Sequence, residues 1–143
     1  MATVYHGRPI EPYRLGVLID LPDHPGLSDC WPDAIRLACE EVKARGLLER
    51  DVEVVVREVY AQPWSSAHGL IKTYRELVED EGVLGVAGPF TSDNCLALLP
   101  EIERLKVPTA TICGSVRFVG DYAYAFANGG LADEPAVMAA WLR

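Results

Sequence analysis

The sequence predicts an α/β domain built on a parallel sheet, a Rossmann-like three-layer sandwich. Short apolar or β-branched runs alternate with longer segments of helical periodicity, as strands joined by crossover helices require. The run 14–20, Arg14-Leu15-Gly16-Val17-Leu18-Ile19-Asp20, is apolar almost without interruption, which suits a strand covered on both faces. The segments 21–30, 89–94 and 113–118 each follow such a run. In a parallel sheet all three emerge at the carboxyl edge, where this class of fold binds ligands.

The elements follow in order. Residues 1–12 carry two prolines and no periodicity and read as an arm. After the first strand, Leu21-Pro22-Asp23-His24-Pro25-Gly26 forces a loop. A helix over 32–44 places Ile35, Ala38, Cys39 and Val42 on one face, and Arg45-Gly46 stops it. Strand two, 52–59, is rich in valine yet carries charges, as an edge strand does. A second helix over 66–81 aligns Leu70, Ile71, Tyr74 and Leu77 and ends at Gly82. Strand three is 83–87. A third helix over 93–105 turns Leu96, Leu99, Ile102 and Leu105 inward. Strands over 108–112 and 122–126 follow, then a helix from Asp133. The sequence breaks off inside that helix, so a longer protein is expected.

Half of the 143 residues are apolar and the formal net charge is −8. An acidic surface repels phosphate backbones, so no nucleic-acid partner is expected. Apolar runs are far shorter than the ~20 residues that span a bilayer. Residues 1–9 show no apolar leader core. The chain as written is therefore expected in the cytoplasm, or outside it if a leader has been removed. Cys30, Cys39, Cys95 and Cys113 form no CxxC and no zinc-like spacing with histidine. Free thiols, no metal and no cofactor are expected.

Catalytic signatures are missing where they would be recognised. Gly82, Gly85 and Gly88 give GxxGxxG across a strand, not the dinucleotide fingerprint after one, and no GxxxxGK[ST] occurs. Asp20 and Asp23 suggest a phospho-acceptor, but no lysine follows Lys106 to complete that site. Ser92 is not in GxSxG, and His6, His24 and His68 lie in separate segments.

What remains is a binding loop, Gly88-Pro89-Phe90-Thr91-Ser92-Asp93-Asn94. Ser92 has two uses, compatible if Thr91 or Asp93 shares the capping: capping the helix that follows, worth about 1 kcal/mol, and giving a hydroxyl to an anion beside the fresh helix amides. Phe90, Thr91 and Asp93 flank it. In Cys113-Gly114-Ser115, Gly114 allows close backbone approach and Ser115 supplies a second hydroxyl.

The order of elements, with Gly88-Pro89-Phe90-Thr91-Ser92 and Thr111-Ile112-Cys113-Gly114-Ser115 about twenty residues later, resembles the amino-terminal lobe of the type I periplasmic (solute-binding) proteins. The nearest group is the branched-chain amino acid and amide receptors of ABC transporters. The resemblance implies that 13–128 form a ligand-binding lobe. It makes Asn128-Gly129-Gly130 a hinge and 129–143 the hinge and first helix of a second lobe. It places Ser92 at a ligand carboxylate, and Cys113 and Ser115 at the positions that hold amino and carboxylate groups. The implied cargo is an amino acid or related small carboxylate or amide, held without catalysis, and the implied partner is an ABC permease. A cytoplasmic sensor resembling amide-binding repressors, acting through a regulatory protein, is the second reading, and a flavodoxin-like enzyme the third. A lone lobe is expected to bind weakly and to self-associate as a homo-oligomer.

Overall fold

The computed structural model describes residues 11–24, 26, 28–126 and 133–142. Most of the arm over 1–12 and the hinge at Asn128-Gly129-Gly130 lie outside these residues. The element order is β1 (Tyr13–Ile19), α1 (Cys30–Ala44), β2 (Val52–Glu58), α2 (Ala67–Arg75), β3 (Gly85–Ala87), α3 (Ser92–Leu105), β4 (Thr109–Thr111), β5 (Ala123–Ala125) and α4 (Glu134–Trp141). The expected α/β parallel sheet is present. Its five strands run β2-β1-β3-β4-β5, every adjacent pair parallel.

β1 is central, with β2 on one side and β3 on the other. Val17, Leu18 and Ile19 are fully buried, which explains why its sequence shows no alternation. The strand order reverses between β1 and β3, so a crevice opens beyond their carboxyl ends. The β4–β5 connection crosses over through 112–122 without a helix. It is held instead by Glu103 of α3, whose carboxylate accepts from the Asp121 and Tyr122 amides at 3.1 and 2.9 Å.

Most of the core lies between the sheet and α2–α3, around Leu18, Leu70, Tyr74, Leu77, Leu98 and Ile102. A smaller cluster of Val17, Ile19 and Phe90 lies on the α1 face, with Trp31 and Ile35 against it. Beyond it Ile112, Tyr124 and Phe126 are exposed, so the α1 face over β4–β5 carries no helix among the described residues. α4 is also exposed along its length, Trp141 by 87%.

Two helices depart from expectation. The second ends its α-helical part at Arg75 and continues as a π-turn over Glu76–Asp80. The third turns Asn94, Cys95, Leu98, Glu101 and Ile102 inward, leaving Leu96, Leu99 and Leu105 half-buried at its flanks. The apolar pattern misplaces that face because two of its buried positions are polar. Glu101 is buried as an ion pair with Arg75 and Arg104, and Asn94 belongs to the site.

Candidate ligand site at the carboxyl edge

The loop after β3 is shaped by backbone geometry that its glycine allows. Gly88 has φ +101°, and a Cβ there would lie 2.1 Å from the Leu18 carbonyl oxygen. The chain thus crosses against β1 and brings Phe90 and Thr91 over the end of that strand. Asp20, directly after β1, is fully buried. Its carboxylate accepts from the Phe90 amide at 2.8 Å, the Thr91 amide at 3.1 Å and Asn94 Nδ2 at 2.7 Å. A carboxylate can fill several acceptor positions, and three donors make its burial tolerable.

Asn94 extends this node to the loop after β2. Its Nδ2 also donates to the Gln62 carbonyl at 3.1 Å, and its Oδ1 accepts from the Gln62 amide at 3.1 Å. The ends of β1, β2 and β3 and the start of α3 thus share one buried polar junction. Thr91, not Ser92, is the N-cap residue of α3, and its side chain makes no capping bond. Its Oγ1 is buried and has no partner among the described residues. Capping by Ser92 is therefore corrected: Asp20, from another segment, takes up the loop amides instead.

Ser92 opens the helix, and its Oγ accepts from the Gly114 amide at 3.3 Å. That bond joins the loops after β3 and β4, so Ser92, Cys113, Gly114 and Ser115 sit together. Cys113 is buried, its amide donating to Thr111 Oγ1 at 3.1 Å. Ser115 is half-buried, its Oγ accepting from the Arg117 amide at 3.3 Å. Asp93 is exposed in the first turn of α3. Phe90 is buried, its ring 4.8 Å from that of Trp31. These two rings, with Ala87, Ala110, Ile112 and Phe126, border a cavity of about 270 Å³ on the α1 side of the edge. The amides of Ser92, Asp93 and Asn94 belong to the first turn and have no carbonyl partner within the helix.

All four cysteines are free thiols. Burial, reinforced by neighbouring Cys113, pushes the Cys95 thiol well above its usual range. Such a thiol is a poor nucleophile. Among the described residues no group of three or more histidine, cysteine or acidic side chains could hold a metal.

Asp20, Asn94 and Trp31 are the site residues that sequence reasoning did not select. A charged residue ending a fully apolar strand was the available signal for Asp20. Nothing local marks Trp31, whose partner, Phe90, lies in the loop after β3.

No family model matches the chain, and no curated protein matches it. Solved structures do. A possible leucine/isoleucine/valine-binding protein from Rhodopirellula baltica superposes with TM-score 0.73 at 16% identity, over 94% of this chain and 36% of its own. The branched-chain amino acid transporter substrate-binding protein from Streptococcus pneumoniae, in complex with isoleucine, gives 0.55 at 20% identity, over 72% and 29%. An ABC transporter solute-binding protein from R. palustris, in complex with 4-hydroxybenzoate, gives 0.53 at 20% identity, over 72% and 27%. The chain spans about a third of the length of these neighbours or less. Its fold is that of one lobe of the type I periplasmic binding proteins of ABC transporters, the group whose motif order the sequence itself resembles.

Proposed function

We propose that this chain is the amino-terminal lobe of a substrate-binding protein of an ABC-type transporter. It binds an amino acid or another small carboxylate without chemical change. In this reading residues 13–128 are the binding lobe, and 129–143 begin the second lobe, which would close over the ligand from the other side. A permease would be the partner of the whole protein, and the work would be done outside the cytoplasm.

The observation that carries the reading is the joining of Ser92 to Gly114 across the loops after β3 and β4, next to the switch point of the sheet. It gathers a hydroxyl and the free amides opening α3 at one place, with Ser115 in the adjoining loop. Such donors suit an oxyanion. Supporting it, the neighbours from S. pneumoniae and R. palustris are described as complexes with isoleucine and with 4-hydroxybenzoate, both carboxylates. The acidic chain offers no basic side chain in loop 88–94, so recognition would rest on oriented dipoles.

The test is an NMR titration of the 143-residue chain with isoleucine and with 4-hydroxybenzoate. The amides of Ser92, Asp93, Asn94 and Gly114 are expected to shift at millimolar ligand. Ser92→Ala should weaken binding roughly tenfold or more, as loss of a hydrogen bond to a charged group implies. Shifts confined to other parts of the chain would refute the assignment.

A further inference from the structure

We propose that the hollow between the loops after β1 and β2 is a subsite for a small organic ammonium ion bearing an apolar body. Leu21, Pro22, Asp23, His24, Tyr60 and Trp64 line an open hollow of about 410 Å³ there, within the size range of small-molecule sites. The subsite opens on the same edge of the sheet as Ser92 but shares no residue with that site, and it does not depend on the carboxylate reading.

Its chemistry is that of a cation site. Trp64 and Tyr60 are 71% and 53% exposed, unusually open for rings of this size. Aromatic faces attract ammonium groups, and tryptophan does so best. The Tyr60 hydroxyl donates to both Asp23 oxygens, at 2.9 and 3.0 Å. One shared proton leaves most of the carboxylate's acceptor capacity free, directly beside the rings. Leu21 and Pro22 supply an apolar floor. The local field agrees: the bond to Asp23, burial, and the charges of Asp23 and Glu58 all raise the Tyr60 phenol. With a net charge of −8 the chain as a whole favours cations.

Hydrogen bonds brace both walls. The His24 amide donates to the Leu21 carbonyl at 3.0 Å and the Ser65 amide to the Ala61 carbonyl at 2.8 Å. Ser28 Oγ holds the Pro22 carbonyl, and Asn94 grips both backbone groups of Gln62.

The experiment titrates the full chain with benzylammonium, benzyl alcohol and benzoate at pH 8 and low salt, following the indole N–H of Trp64 by NMR. These probes share one apolar body and differ in charge. Benzylammonium is expected to shift Trp64 and to bind at least tenfold more tightly than benzyl alcohol. Benzoate should leave Trp64 unmoved. Asp23→Asn and, separately, Trp64→Ala should each weaken benzylammonium about tenfold, the first read at Trp64 and the second at the His24 amide. Ser92→Ala should not change it. Equal binding of benzyl alcohol, tighter binding of benzoate, an unaffected Asp23→Asn variant, or shifts at Gly114 in place of Trp64 would each overturn the proposal. Failure here leaves the Ser92 titration unaffected.

Discussion

Replacing Asp20 tests the junction on which the candidate site stands. Asp20→Ala removes the acceptor of three donors. Asn94 keeps its bond to the Gln62 carbonyl, so two backbone amides, of Phe90 and Thr91, are left without a partner. A buried donor so orphaned costs about 1–3 kcal/mol, and the pair about 2–6 kcal/mol. Relief of the carboxylate's own desolvation offsets part of this, leaving an expected loss of about 2–4 kcal/mol. Asp20→Asn keeps the shape and one acceptor. Its new N–H₂ group must then face either the Phe90 amide or both the Thr91 amide and Asn94 Nδ2, donor against donor, and about 1–3 kcal/mol is expected. Against a domain stability of about 5–15 kcal/mol either change is large. Urea unfolding followed by circular dichroism gives the answer as a midpoint shift at constant slope. Both variants within about 0.5 kcal/mol of the parent would refute the reasoning, because the carboxylate would then be a bystander.

Two further outcomes follow from single residues. Gly88→Ala should lower stability by several kcal/mol, roughly, or prevent folding, since its Cβ would meet the backbone oxygen of Leu18 at φ +101°. Gly82→Ala, with positive φ but open space around it, should cost only about 1 kcal/mol, and equal losses in urea unfolding would dismiss the steric argument. Hydrogen bonds from Arg104 and then Arg75 depress the Glu101 carboxyl from 4.5 to about 2. A depressed carboxyl contributes stability that is complete above its unfolded pKa and is lost as pH falls through the folded one. The melting-temperature gap between the parent and Glu101→Gln should therefore be widest above about pH 5 and close between pH 4.5 and about 2. A gap that stays constant across that range would remove the ion pairs as its cause.

The sheet was legible because burial on both faces writes itself as apolar runs, and β1 and β3 show this plainly. The edge position of β2 was legible from its charges. The inward face of α3 was not, because Asn94 is buried through partners in other segments, and Glu101 through Arg75 of α2 together with Arg104 of its own helix. Hydropathy cannot register a polar residue whose burial depends on such partners. The site was legible in its loops and hidden in its support. Ser92 and Gly114 could be read from strand ends, whereas Asp20 and Asn94 act across more than seventy positions. Such pairings arise from the reversal of strand order, which only the assembled sheet reveals.

The position of Asp20 also bears on the anion binding proposed for this edge. A helix N-terminus offers roughly half a positive charge, and Asp20 sets a full negative charge against it from inside the protein. An anion arriving from solvent meets that potential already partly cancelled. In the proposed reading, the residue that holds the rim together therefore also weakens the rim's hold on an anion.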